Sequence, residues 1–381
     1  MINKNNTNKK YGLSPYLYIY IKNNKAELYD LLKKSRIVYN DKILSMMNFC
    51  VEAKEYNEIV NKYDLSMVEN AIHNNVLIAS DELLFKYSLN TLEIETVSYC
   101  NNKCEYCPVS FSESQTCEVM SKEVFNHIIS KAVRCKSIRE VAFHFYGEPT
   151  LDPYIEYRIQ TLSKTNIKLD LHTNATFLGK SIIYLLKNSN VLNKVIVNYP
   201  SNDETEYNRI TNSNNFSNAN KNIFLLCESG LPVILNINGE PEQQLINKEK
   251  MLEVFGKYKN VKILDNITTD RCGLLNNKYA QNIMLNTLKG CEKFIRNAVI
   301  TVNGDFVLCC NDYRKKYILG NIKDGEIYEI MSNDEYVNIR SKLLGLRLSD
   351  DDFICHSCWE ARLNKHLHMQ FLNYIKSYKS I

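Results

Sequence analysis

Three cysteines, Cys100, Cys104 and Cys107, stand at C-x3-C-x2-C spacing just after an alternating apolar run over 92–97. Three thiolates this close together suit an iron–sulfur cluster better than a disulfide pair. Three protein ligands cap three irons of a [4Fe–4S] cube and leave the fourth open to a substrate or cofactor. A zinc knuckle or loose thiols are the competing readings. Zinc would want a fourth Cys or His close by, and His127 lies well down the chain.

The rest of the chain sets the context for that triplet. A length of 381 residues predicts two or three domains. Hydrophobic content of 45% and charged content of 24% are ordinary for a soluble globular protein. A net charge of +4 is too mild to point to a nucleic-acid partner. The Asn- and Lys-rich start reads as a disordered tail over 1–14. Neither a membrane span nor a signal peptide is legible, so a cytoplasmic protein is expected. In a reducing compartment thirteen cysteines need a reason other than disulfides. Cys291, Cys309, Cys310, Cys355 and Cys358 form a second group, while Cys50, Cys117, Cys135, Cys227 and Cys272 are scattered and read mostly as small packed residues.

Residues 15–80 read as a small α+β module. Strands are expected over 16–21, 36–39 and 76–78. A helical face carries Ile43, Met46, Met47 and Cys50, and two more helices are expected over 56–63 and 66–73. Such an order suits a winged-helix-like unit. After a linker over 81–90, strand and helix signals alternate through 91–265. Strands are expected at 92–97, 141–145, 168–172, 194–198, 233–237 and 261–264. Helices are expected at 122–133, 154–163, 180–187, 218–228 and 248–258, with a short one at 203–211. Alternation of this kind predicts an α/β fold with a parallel sheet. In β/α barrels the chemistry sits at the C-terminal strand ends.

Polar clusters fall at those ends: the cysteine triplet after the first strand, Phe145-Tyr146-Gly147-Glu148-Pro149 after the second, and Thr173-Asn174-Ala175 after the third. The fourth ends in Asn198-Tyr199-Pro200-Ser201, the fifth in Asn236-Ile237-Asn238-Gly239-Glu240. The triplet, with Tyr106 before its third cysteine, and the Gly147-Glu148-Pro149 turn resemble the radical S-adenosylmethionine (SAM) superfamily. The resemblance implies a partial (β/α)6 TIM-like barrel over 91–265. It also implies a [4Fe–4S] cluster on Cys100, Cys104 and Cys107, with SAM on the open iron. Tyr106, Gly147, Glu148 and Pro149 then belong to the cofactor site. Gly147 and Glu148 grip the SAM methionine, and Asn174 contacts its ribose. Two departures are visible: Tyr146 replaces a first Gly, and Ala175 replaces a last one, which puts a left-handed turn there in doubt. The module over 15–80 resembles the peptide-recognition domain of radical SAM peptide maturases; a plain cap on the catalytic domain is the other reading.

The second cysteine group resembles the SPASM signature. Cys291, Gly304 and Cys309 have its spacing, and Asn303-Gly304 marks a hairpin. No cysteine follows Cys358, so the pattern over 266–381 resembles the shorter twitch domain, with Cys291, Cys309, Cys355 and Cys358 on one auxiliary [4Fe–4S] cluster. A structural zinc site on the same four also fits the spacing. Cys310 should point away from Cys309 and pack. The last helix, over 361–378, is expected to pack through Leu363, Leu367, Gln370, Phe371 and Tyr374, leaving His366 and His368 in solvent.

The resemblance implies reductive SAM cleavage to a 5′-deoxyadenosyl radical, hydrogen abstraction from substrate, and an electron donor such as a flavodoxin or ferredoxin. Maturation of a ribosomally made peptide is the favoured reading, ending in oxidative bond formation or epimerisation. For epimerisation Cys117, Cys227 and Cys272 are the thiol donors to consider. The alternatives are a small-molecule dehydrogenase acting on an aminocyclitol or sugar alcohol, and a non-catalytic metal-binding recognition protein.

Overall fold

The computed structural model describes residues 8–377, apart from 23–24, 112–116, 267 and 276–286. It divides into two compact units, one made of Met1–Ser88, Met284–Arg296 and Asp334–Ile381, the other of Leu89–Ile283 and Asn297–Asn333. The segment expected as one auxiliary domain over 266–381 is thus shared between them.

The first unit opens with β1 (Lys10–Leu13), β2 (Leu17–Lys22), β3 (Lys25–Asp30) and β4 (Ser35–Ile37), followed by β5 (Lys54–Glu55) and β6 (Leu77–Ala79). They form two antiparallel sheets, ordered β5-β1-β6 and β2-β3-β4. Helices Asp41–Phe49, Tyr56–Lys62 and Leu65–His73 pack with them. The first starts where the Asn40 side chain accepts from the amide of Ile43, and the second where Glu55 and Glu58 form a reciprocal capping box. The strand β1 lies inside the expected disordered tail: Tyr11 is buried and pairs with Ala79, so apolar burial and ladder bonds order a segment whose flanking Asn and Lys suggest otherwise.

Helix Trp359–Ser377 belongs to this unit. Its buried face is Ala361, Asn364, His368, Phe371 and Ile375, a run at helical spacing. Phe371 and Ile375 enter the core formed by Leu17, Leu28, Met46 and Ile59. His368, expected in solvent, is 6% exposed and lies 3.3 Å through Nδ1 from the carbonyl oxygen of Leu17. Leu363 and Gln370, expected on the packed face, are exposed. The stripe is rotated because the helix packs on β2, and its apolar residues alone do not mark that direction.

The second unit is built on β7 (Thr91–Ile94), β8 (Glu140–Phe143), β9 (Lys168–Thr173), β10 (Leu192–Asn198), β11 (Val233–Ile237) and β12 (Val261–Asp265). All neighbours in this series pair in parallel. The helices between them are Lys122–Arg134, Ile155–Leu162, Lys180–Asn188, Glu204–Thr211, Phe216–Glu228 and Pro241–Phe255. This is the expected partial β/α barrel. The last of these helices starts seven residues earlier than expected, because Pro241 at its first position is a start signal.

Beyond the expectation, β13 (Asn297–Ile300) joins the same sheet in parallel with β7, and β14 (Asp305–Val307) and β15 (Ile318–Asn321) extend it antiparallel. Gly304 turns the β13–β14 hairpin at φ +84, with space for a Cβ denied by Ile322 Cγ2 at 2.7 Å.

Strand alternation sorts the sheet's two faces. Phe143 meets Phe125 of the first helix at 6.0 Å between ring centroids, so the face with Ile94, Phe143 and Leu171 is the helix-covered one. The opposite face is polar. One layer reads Glu93, Ala142, Asp170 and Lys194, and the register two residues on brings His172 beside Ile196.

Candidate functional site

The three cysteines lie on the loop after β7. That loop is held from outside: the amides of Lys103 and Glu105 donate to the carbonyls of Thr211 and Ile210 at 3.0 Å each. Inside, the Cys107 amide donates to the Cys104 carbonyl at 2.9 Å. All three cysteines line one cavity of about 240 Å³ at the C-terminal ends of the strands. Burial pushes the Cys100 thiol up to about 12, with the Glu148 carboxylate adding to it. Cys104 is held well above the usual thiol range by burial and then by Cys107 and Cys100, and Cys107 is raised by burial. Thiols that resist ionising because they are buried together are stabilised as thiolates by a bound cation or cluster, with loss of protons. The donor set therefore fits a cluster with three cysteine ligands. Tyr106 is buried beside Cys104, and burial above all raises the pKa of its hydroxyl.

Gly147 is where the next loop touches the cysteine loop. A Cβ there would stand 1.8 Å from the Val97 carbonyl oxygen, so only glycine allows the approach. The following amide, of Glu148, donates to the Tyr99 carbonyl at 2.9 Å. The Glu148 carboxylate is buried and accepts four hydrogen bonds. Oε1 takes the amide and hydroxyl of Thr150 at 3.0 and 2.6 Å and the hydroxyl of Thr173 at 2.6 Å; Oε2 takes the Asn174 amide at 2.7 Å. Burial raises its pKa against the pull of those donors. In this state Glu148 fastens the β8 turn to the end of β9. Pro149 opens the short helical turn Pro149–Leu151 and is buried. Behind it the Arg158 guanidinium, fully buried, pairs with Asp152 at 2.5 Å and reaches the Met120 carbonyl.

Asn174 bridges the two loops: its side-chain Nδ2 donates to Asn101 Oδ1 at 2.8 Å and lies 3.8 Å from the Cys100 sulfur. Ala175 does adopt the left-handed turn, at φ +62, although it is not glycine. The Thr173 hydroxyl accepts the Ala175 amide at 2.9 Å and Asn174 Oδ1 accepts the Thr176 amide at 2.9 Å, which offsets the cost of that conformation. Tyr146, in place of a glycine, packs edge-on to Phe145 and Tyr313 at 4.8 and 4.6 Å, and Phe145 sits at φ +101.

Asn198, Asn236 and Asn238 line the cavity from β10 and β11, with Asn238 donating to Asn198 at 3.1 Å. Ser201 and Glu240 serve other ends: the Ser201 hydroxyl donates to Glu206 at 2.8 Å, and Glu240 occupies the position just before helix Pro241–Phe255. Cys310 is buried with Phe145, Val299 and Val307, as expected of a packed residue, and its side also reaches the cavity. Cys117 is exposed, Cys227 is buried in its helix and Cys272 is half-buried; none is among the described residues lining the cavity.

His144, His172 and Arg271 also line the cavity, and sequence reasoning passed over them. The histidines could have been found by counting two residues on from Ala142 and Asp170 along the polar face.

Of the second cysteine group, Cys291, Cys355 and Cys358 lie in the first unit and Cys309 and Cys310 in the second. Within the first, burial and then the neighbouring Cys358 push Cys291 up to about 12, and the Cys358 amide donates to the Cys355 carbonyl at 3.3 Å.

Two family models match the chain: the radical SAM superfamily over residues 94–254 and the SPASM iron–sulfur cluster-binding domain over 291–359. A relative from Niallia circulans, the S-adenosyl-L-methionine-dependent 2-deoxy-scyllo-inosamine dehydrogenase, is 22% identical over 271 residues, 70% of this chain and 91% of the relative. Among solved structures, SuiB of Streptococcus suis bound to its precursor peptide SuiA aligns at TM-score 0.55 and 14% identity, over 91% of this chain and 93% of that one. The structure of anSMEcpe with bound AdoMet aligns at 0.51 and 17%, over 76% and 93%. These two share the fold with this chain.

Proposed function

The chain belongs to the radical SAM superfamily and carries a C-terminal SPASM domain, and we propose that it abstracts a hydrogen atom from a ribosomally made peptide, leading to oxidative bond formation or epimerisation. The observation that carries the SAM chemistry is the shared cavity: the three cysteine thiols and the Gly147-Glu148 turn open on the same space. Cys100, Cys104 and Cys107 would hold a [4Fe–4S] cluster, which when bound would supply the electron for reductive cleavage of SAM. The chain's own residues prepare for it. Glu148 and Asn174 clamp the β8 and β9 turns onto the cysteine loop, and Gly147 lets the β8 turn come up against the Val97 carbonyl. Tyr106, Gly147, Glu148 and Asn174 form the SAM side of the cavity, with Pro149 buried in the turn that follows. Cys291, Cys309, Cys355 and Cys358 are assigned to the auxiliary cluster on their sequence pattern. The cytoplasm, with a flavodoxin or ferredoxin as electron donor, suits such clusters.

The first unit supports the peptide reading. The strand β4 ends the β2-β3-β4 sheet, and among the described residues no strand pairs with its outer edge, where a peptide strand could add. A cavity of about 260 Å³ beside it is lined by Ser35, Ile37, Val38, Met67 and Ala71. The small-molecule reading has its own support in the N. circulans relative and in Asn198, Asn236 and Asn238, whose amides both donate to and accept from hydroxyl groups.

Anaerobic reconstitution with iron and sulfide, then SAM and dithionite, tests the chemistry: 5′-deoxyadenosine is expected, and its absence overturns the reading. The peptide to test is the product of any short precursor frame found beside the gene. Met67→Lys should weaken its binding at least tenfold while SAM cleavage persists; unchanged binding favours the small-molecule reading.

A further inference from the structure

The polar face of the barrel carries charged pairs that are already matched. Lys194 pairs with Asp170 at 2.6 Å, and Lys315 with Glu95 at 2.7 Å. Glu93, buried between them in the same strand as Glu95 begins from, faces an imidazole instead. Its Oε2 lies 3.2 Å from His144 Nδ1, and its Oε1 accepts the Asn297 amide at 2.6 Å. With Glu93 ionised the carboxylate only accepts, which puts the proton of a neutral His144 on Nδ1 and leaves the lone pair on Nε2. No hydrogen bond engages that Nε2 among the described residues, and His144 lines the cavity that Cys100, Cys104 and Cys107 line. The second imidazole, of His172, has its ring centroid 4.3 Å from that of His144. Burial and then His144 lower the pKa of His172, while the Glu93 carboxylate stands against His144.

We propose that His144, oriented by Glu93, is the proton acceptor when the substrate is oxidised, and that the substrate carbon therefore carries a hydroxyl or an amide. The proposal rests on the oxidative reading above. The carbon-bound hydrogen leaves as an atom to the 5′-deoxyadenosyl radical, forming 5′-deoxyadenosine. The O–H or N–H bond breaks, its electron pair stays to form the C=O or C=N bond, and the proton passes to Nε2. The one electron left over is taken by an oxidised iron–sulfur cluster. Glu93 is a positioning residue, acting through His144.

The test is long-range ¹H–¹⁵N correlation on the full chain labelled at histidine, without clusters or SAM, with His144→Asn to assign the ring. Neutral His144 should show a protonated Nδ1 and a bare Nε2, and Glu93→Gln, which removes the charged acceptor, should shift the ring toward the Nε2-protonated tautomer. The opposite tautomer in the parent, or an unchanged tautomer ratio in E93Q, overturns the proposal. Should E93Q fail to fold, Glu93→Asp draws the carboxylate back by one methylene and must move the tautomer ratio in the same direction. Neither readout needs SAM cleavage, so a failure here is separate from a failure of the radical chemistry.

Discussion

The hydroxyl of Thr173 donates to Oε1 of Glu148 across 2.6 Å, joining the turn after β8 to the end of β9. With Thr150 and Asn174 on the same carboxylate, the two loops that face the cysteines act as one piece. Glu148→Gln turns one acceptor into a donor among donors. It should cost on the order of 1–3 kcal/mol for each donor left unsatisfied. Chemical denaturation measures that cost, and SAM affinity of the reconstituted protein should fall with it. Thr173→Val, which removes one bond only, should do less. Equal stability in E148Q and the parent would sink the clamp.

Gly147→Ala should be far worse than its size suggests. The added methyl must move either the Val97 carbonyl or the whole turn, since 1.8 Å is no contact at all. Loss of SAM binding is expected even in protein that folds. Gly179→Ala is the control, because nothing lies within 4 Å of the new methyl. It should change stability by no more than about 1 kcal/mol, as an N-cap glycine.

Cys104→Ala should abolish 5′-deoxyadenosine formation. Cys355→Ala should spare SAM cleavage but lower product yield, and iron should fall from about eight to about four per chain, one cluster's worth. Product formation unaffected by C355A would remove the auxiliary cluster from the reaction.

His368 ties the stability of the first unit to pH. Burial lowers its pKa below the free value, so the folded chain binds fewer protons than the unfolded one. Stability from this group is present above the unfolded pKa of about 6.5 and is lost as pH falls below it. Urea midpoints between pH 7.5 and 5.5 should drop in the parent and drop less steeply in His368→Gln. Parallel slopes would show that the titrating group lies elsewhere.

Much of the second unit was legible because parallel strands between helices read as apolar runs of regular length, and the site residues sit where those runs stop. The triplet and Gly147-Glu148 could be found that way. Ala175 could not be judged by residue type alone. Its left-handed backbone is held by the Thr173 hydroxyl and the Asn174 amide, which are tertiary facts of one turn. Tyr11 was hidden by its Asn- and Lys-rich neighbours, since a strand of four residues is too short to show a period.

By itself the sequence determined the six-strand barrel, the three-cysteine loop and the turn that meets it, because local periodicity and close spacing need no distant partner. Tertiary structure decided the rest. It gave β13 a place beside β7, turned the last helix so that His368 is buried, and emptied Glu148 of free acceptors. It also brought His144 within reach of Glu93, two residues 51 positions apart that only sheet register can pair. The physical reason is the same each time: hydrogen bonds and burial between segments far apart in the chain fix which face a residue shows, and no local pattern records that choice.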